Sequence, residues 1–267
     1  MKKGLFMAMM LCLTATAQAE QVVVETKNTS LVLEVEKGLQ PKYVYYGKKL
    51  NAQELQHLQH PAVFGRMEVY PAYGLNTPAE AALAMRHSDG NLSTSLVAEY
   101  YEQGEVVDEG NFVTCITLKD PVYPITVTLN YKAYVEEDMI EAWTEITNGE
   151  KGTVNLTTFA SAMLPIRRGD VWLSHFYGSW ANEAQLVEEP LTPGQKVIVN
   201  KDGTRNSHTD HGEVMFSLDG KGQENTGAVI GAAICYSGNY RLKVVTDDTD
   251  YHYFFAGINE DNSEYHL

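Results

Sequence analysis

Apolar and polar residues alternate with a period of two along much of this 267-residue chain. The stretch YPITVTLNYKAYVEED shows it most cleanly. Ile125, Val127, Leu129 and Tyr131 fall on one face, and Thr126, Thr128, Asn130 and Lys132 on the other. MIEAWTEITN repeats the pattern, with Ile140, Ala142, Thr144 and Ile146 opposed to Glu141, Trp143 and Glu145. Side chains of a strand point to opposite faces in turn, so each run predicts a half-buried strand. QVVVETKNTSLVLEVEKG gives two shorter runs around Asn28 and Thr29. Further runs are NFVTCITL, VNLTTFASAML, VWLSHFYG, KVIVN, EVMFSLDG, AVIGAAICYSGN, YRLKVVTDD and HYFFAGIN. Gly, Asn, Asp and Pro separate them, as strand connections require. About a dozen strands with turns at short intervals predict an all-β fold, a large antiparallel β-sandwich. The closing NSEYHL reads as the approach to another strand.

Helical periodicity is scarce. AQELQHLQH, 52–60, predicts one or two turns ending before Pro61. PAEAALAMRH, 78–87, opens with a proline suited to a first helical turn and predicts a second short helix. One or two short helices cannot build a (β/α)8 barrel, which alternates strand and helix throughout. There is no internal repeat, low-complexity tract or linker, so the chain reads as one domain after its first residues.

Those first residues have a different character. Met1, Lys2 and Lys3 give a positive start, Gly4 to Thr16 is mostly apolar, and Ala17-Gln18-Ala19 fits a small-x-small cleavage site. The run is too short for a stable membrane anchor. Leu11 is bulky where a lipoprotein cysteine at Cys12 would need a small neighbour. Residues 1–19 therefore predict a signal peptide, with residues 20–267 exported to the periplasm or the exterior.

The chain is acidic, with a formal net charge of −15, and loss of Lys2 and Lys3 would make it more so. Such a surface repels phosphate backbones and anionic headgroups, so neither nucleic acid nor membrane is an expected partner. Neutral ligands, sugars among them, fit better. Cys115 and Cys235 lie in apolar runs. Export permits a bridge between them, and two buried thiols acting as small hydrophobes are the plainer reading.

Metal-ligand residues gather in SHTDHGE, at His208, Asp210, His211 and Glu213, but a site there needs further ligands from elsewhere. NEDNSE spaces oxygens at Asn259, Asp261 and Ser263 without the glycine of a calcium loop. No metal and no cofactor is expected. Glu141 and Glu145 alternate with core residues and read as a solvated strand face rather than a glycosidase pair. Tyr70, Tyr73, Trp172, Phe176, Tyr177 and Trp180 lie in or beside Gly- and Asn-containing loops. They serve either as core anchors or as platforms for sugar rings. Within GSWANE, Trp180, Asn182 and Glu183 stand together in one connection between strands.

Four ordered blocks carry a resemblance. They are EVYPAYG followed by HSDGNLSTSLVAEYYE; LKDPVYPITVTLNYKAY with IEAWTEITN; FYGSWANEAQLVEEPLTPGQKVIVNKDGTRNSH; and TGAVIGAAICYSGNYRL. Together they resemble the amino-terminal β-supersandwich domain of glycoside hydrolase family 36, the α-galactosidases or melibiases. The resemblance implies removal of terminal α-linked galactose with retention, performed by two aspartates in a (β/α)8 barrel that follows the sandwich. One of them lies in a Lys-Trp-Asp motif, which this sequence lacks. It therefore implies an accessory domain, incomplete at its C-terminal end, with no catalytic residue of its own. A stand-alone carbohydrate-binding module and a structural or assembly domain are the alternatives. Many members follow Tyr-Pro-x-(Tyr/Phe)-Gly with Gly-Asp-Phe-Arg, a run reaching toward a galactose pocket, often of a neighbouring subunit. Here Leu75, Asn76, Thr77, Pro78, Ala79 and Glu80 take its place. Asn76, Thr77 and Glu80 are then the candidate substrate contacts of a pocket-rim loop held by Pro71 and Gly74. Trp180, Asn182 and Glu183 form a structural or interface loop, the ring packing into the sandwich or its junction with the barrel. Galactosides, reached through the barrel, and further copies of the chain are the implied partners.

Overall fold

The computed structural model describes residues 19–58, 67–74, 80–108, 110–205, 208–261 and 264–267. Three strands open the fold: β1 (Glu20–Glu25), β2 (Thr29–Val35) and β3 (Lys42–Lys48), an antiparallel sheet in that order. A short helix, α1 (Ala52–His57), follows. Asn51 caps it by accepting from the backbone N–H groups of Gln53 and Glu54, while the Glu54 carboxylate accepts from Asn51 N–H at 2.7 Å. This reciprocal capping box starts the helix that AQELQHLQH predicts.

The second predicted helix is instead a strand, β4 (Leu83–Arg86). Leu83 and Met85 are buried at 0% and 1% exposure, while Ala84 and Arg86 turn outward. Burial of that alternating pair, with pairing to a neighbouring strand, overrides the helical preference of the alanines.

Four strands then form an antiparallel meander: β5 (Val97–Asp108), β6 (Asn111–Lys119), β7 (Ile125–Tyr134) and β8 (Met139–Asn148). β9 (Asn155–Arg167), β10 (Trp172–Ser179), β11 (Asn182–Pro190) and β12 (Gly194–Val199) follow. The last five are β13 (Asp210–Ser217), β14 (Val229–Ala233), β15 (Tyr240–Thr246), β16 (Tyr251–Ile258) and β17 (Tyr265–His266). A central sheet runs β12-β15-β16-β9, with both β4 and β17 on β9, and another sheet runs β11-β10-β13-β14.

Two cores hold these sheets together. Tyr251, Tyr253 and Phe255 of β16 join Leu33, Ile116, Val127 and Leu129 in the first. Phe254 joins Leu242, Val244, Leu173 and Phe216 in the second. Phe254 and Phe255 are chain neighbours and so lie on opposite faces of β16. The central sheet is thus covered on both sides, which explains why HYFFAGIN is nearly continuously apolar rather than alternating.

Candidate functional site

A shallow cleft lies on the central sheet, beside Glu80. Its cavity volume is about 30 Å³, the rest of the groove being open to solvent. Two cross-strand rows build its floor. Lys243 of β15 pairs with Phe255 of β16, and Arg241 pairs with Gly257, which pairs in turn with Ala160 of β9. Lys243 and Arg241 are two residues apart on one strand, so both side chains rise from the same face. A bulge between Ala256 and Gly257 brings β9 close. A Cβ on Gly257 would stand 3.0 Å from Ala160 Cα, so only glycine fits there without a shift of backbone.

Charged groups line the walls in pairs. Lys243 Nζ lies 2.6 Å from Glu80 Oε1, and Arg241 Nη1 lies 2.5 Å from Glu260 Oε1. Arg241 also bonds Asp261, which takes a second cation, Lys201, at 2.9 Å. Hydrogen bonds from Lys201 and Arg241 hold the Asp261 carboxyl below the usual carboxylate range. Thr158 and the Phe159 ring complete the lining.

Glu80 enters this cleft from a braced neck. Tyr73 N–H donates to Leu83 O and Ala82 N–H to Pro71 O, each at 2.8 Å. Ala160 N–H donates to Ala82 O at 2.7 Å, and the Tyr70 hydroxyl donates to Ala160 O at 2.7 Å. Burial pushes the Tyr70 phenol well above its ordinary pKa, so it remains a donor. Gly74 has φ +105°, and a Cβ there would stand 2.5 Å from Ser93 Cα. Of the candidate rim residues, Glu80 thus lines the cleft, while Asn76 and Thr77 lie outside the described residues.

The GSWANE loop is elsewhere, at the β10–β11 connection. Trp180 is 83% exposed, so its ring does not pack into the sandwich. Glu183 Oε1 accepts from Ala181 N–H at 2.9 Å, and Asn182 pairs with Ser179 in the hairpin register. None of the six loop aromatics lines the cleft. The cleft's own rings, Phe159 and Phe255, sit inside strand runs, where sequence gives no sign separating them from core. Lys243 and Arg241 did carry a signal, as the charged positions of YRLKVVTDD.

The other candidate clusters do not converge. His211 Nδ1 lies 3.1 Å from Glu213 Oε1. No group of three His, Cys, Asp or Glu among the described residues could hold a metal ion. Ser263 of the calcium-like stretch lies outside the described residues. Glu145 is exposed and accepts from Trp143 Nε1 at 3.1 Å, and Glu141 accepts from the Tyr134 hydroxyl at 2.8 Å. Cys115 and Cys235 are free thiols, the first partly buried and the second exposed. No described helix is long and apolar enough to cross a membrane.

The model of the glycosyl hydrolase family 36 N-terminal domain matches residues 39–267. The chain belongs to this family. Its relatives include the bifunctional alpha-galactosidase/sucrose kinase AgaSK of Mediterraneibacter gnavus, 28% identical over 210 residues. That match covers 74% of this chain and 22% of the relative. Alpha-galactosidase Mel36A of Lactobacillus acidophilus is 28% identical over 57% of this chain and 20% of its own length. The chain thus spans about a fifth of the length of these relatives. Among solved structures, the alpha-galactosidase of Lactobacillus brevis superposes with a TM-score of 0.80 at 21% identity, over 93% of this chain and 37% of that one. Alpha-galactosidase AgaA of Geobacillus stearothermophilus gives 0.81 at 20% identity, over 93% and 38%. The family's N-terminal sandwich is the fold described above.

Proposed function

We propose that this chain is the accessory amino-terminal part of an exported enzyme that removes terminal α-linked galactose. The observation that carries the reading is the family match across residues 39–267, in company with relatives named as alpha-galactosidases. Bond cleavage is assigned to a barrel outside residues 1–267, and the sandwich shapes and supports that barrel. The loop ending at Glu80 serves as a pocket rim, with Asn76 and Thr77 its other contacts. The brace from Tyr70, Gly74 and Lys243 supports this, because a rim must be held rigidly to position a sugar. Trp180 serves as an interface residue against the barrel or a second copy of the chain. An indole left 83% exposed on a hairpin tip supports that role. Galactosides are the partners, and no cofactor takes part.

The test is hydrolysis of an aryl α-galactoside by the complete gene product and by residues 20–267 alone. The complete product should turn over and the shorter piece should not. Failure of the first removes the α-galactosidase reading, and turnover by the second removes the accessory one.

A further inference from the structure

We propose that residues 219–227, DGKGQENTG, form a strap that opens and closes over the outer face of the β10–β13 strand pair. Its closed state leaves two serine hydroxyls without partners, and opening gives them back to water. The device is built into this chain alone and does not rest on the α-galactosidase reading.

Strand register puts the covered residues on one face. Leu173 and Phe216 pair across β10 and β13, and both enter the second core. Their chain neighbours Ser174 and Met215 pair on the opposite, outer face, and so do Trp172 and Ser217. Glu188 of β11 pairs with Ser174 and shares that face. The strap leaves β13 just beyond Ser217 and folds back over these side chains. A Cβ on Gly222 would stand 3.1 Å from Ser217 Oγ, 3.6 Å from Met215 Cε and 3.9 Å from Glu188 Oε1. A residue without a side chain lets the strap lie this close. Beneath it Ser174 is 5% exposed and Ser217 3%, and neither hydroxyl oxygen has a hydrogen-bond partner in the protein. A polar group buried and left unpaired opposes the state that buries it.

Little holds the strap down in return. Its anchors stand at the two ends. Gly220 N–H donates to Asp170 O at 2.7 Å, Leu218 N–H to Ala228 O at 2.9 Å, and Ala228 N–H to Asp219 Oδ2 at 3.3 Å. Between them, among the described residues, no backbone hydrogen bond joins residues 221–227 to the sheet. One ion pair crosses the gap, from Lys221 Nζ to Glu188 Oε2 at 2.9 Å, and the lysine side chain is 52% exposed. Exposed pairs of this kind contribute little. Residues 223–227 are all exposed, so closure gains little from their burial. Gly220 and Gly227, at φ +105° and +103°, give the segment a glycine pivot at each end. Opening about these pivots hydrates both serines. It also uncovers the Glu188 carboxylate beside Trp172 and Met215.

The test is NMR relaxation dispersion on the complete 267-residue chain, which reads exchange on the microsecond-to-millisecond scale of lid motions. The amides of residues 219–227 and the Met215 methyl group should exchange between a closed state and a minor open one. Ser174→Ala and Ser217→Ala each remove an unpartnered hydroxyl, and each should lower the open-to-closed ratio about fivefold or more. Lys221→Met removes the ion pair and should raise that ratio, by up to about fivefold. The opposite signs separate strap opening from general loosening of the fold. Melting temperature gives a second reading. Each serine variant should melt higher than the wild type, whereas a serine bonded to an ordered water would melt lower when replaced. Absence of exchange in the strap, an open-to-closed ratio unchanged or raised by both serine variants, or lower melting of both would each overturn the device.

Discussion

The Tyr70 hydroxyl donates to the carbonyl oxygen of Ala160 at 2.7 Å, across 90 residues of sequence. One end of this bond stands in the YPAYG turn, and the other is the floor of the cleft. It ties the loop neck to the central sheet. Tyr70→Phe keeps the ring and removes the bond, leaving a partly buried carbonyl short of a partner. Chemical denaturation should show a loss of about 1–2 kcal/mol. No loss would mean that the bond contributes nothing to holding the neck.

Gly74 faces two constraints at once. Its φ of +105° disfavours any L side chain, and Ser93 occupies the space a Cβ would need. Gly74→Ala should therefore cost about 2–4 kcal/mol, strain and displacement together. Gly38, also at positive φ but with open space around its Cβ, is the control. Gly38→Ala should cost about 1 kcal/mol, and equal losses at the two sites would show that crowding by Ser93 does not matter.

How much of this was legible in the sequence depends on which force dominates locally. β7 and β8 stand where their alternation puts them, because one face is core and the other is not. β4 was misread because alanine and methionine favour helices, and the signal that corrected them is long-range: pairing of Leu83 with Phe159 of β9. β11 was hidden for a related reason. NEAQLVEEP lies at a sheet edge with much of its surface wet, so burial imposes little alternation. Beyond Glu80 and the charged positions of β15 the cleft was illegible, since it is made by cross-strand neighbours such as Lys243 and Phe255 whose pairing the sequence does not display.

Burial of Met85 at 1% exposure gives a direct check on the β4 assignment. Met85→Ala should cost about 2–5 kcal/mol, whereas Ala84→Val, on the other face, should be nearly neutral. A helix there would penalise the valine and spare no face in this two-residue rhythm. Equilibrium unfolding of the two variants decides between them.

His87 is fully enclosed with Glu150. Its Nδ1 lies 2.6 Å from Glu150 Oε1, its Nε2 lies 3.1 Å from Thr94 Oγ1, and its ring stacks on Tyr123 at 3.6 Å. Ser88 also donates to Glu150, at 2.5 Å. Burial pushes the Glu150 carboxyl up, but the bonds from Ser88 and His87 outweigh it and leave it below its ordinary value. Thr94, His87 and Glu150 repeat the order of a hydrolytic triad, yet Thr94 is 1% exposed and no substrate can reach it. The group is a brace. Glu150→Gln should lose about 2–4 kcal/mol in unfolding measurements, with no change in any hydrolytic rate of the chain.

Two histidines contribute to the response to acid above the carboxylate range. Burial, reinforced by Arg168, lowers His252 to about 4, and burial with Lys196 lowers His175. Both are neutral in the fold and charge more readily when unfolded, so the unfolded state binds more protons between pH 4 and 6.5. Stability is full above the unfolded value of 6.5 and declines as the pH falls toward 4. Melting temperatures should fall across that window, and His252→Gln should flatten the slope. An unchanged slope in the variant would remove His252 as its source.

Trp180 separates the domain's own stability from its service to a larger assembly. At 83% exposure the indole contributes little to this fold, so Trp180→Ser should shift the unfolding free energy of the 267-residue chain by no more than about 0.5 kcal/mol. If the ring is buried in the complete gene product, the same substitution there removes a large buried aromatic. The cost should then rise to about 3–5 kcal/mol in stability or in the strength of subunit association. Intrinsic tryptophan fluorescence gives a second reading. Solvent quenching by acrylamide should act on Trp180 in the short chain and lose access in the long one. A mutation silent in both settings, with the indole equally quenched, would leave this hairpin tip with no interface to serve.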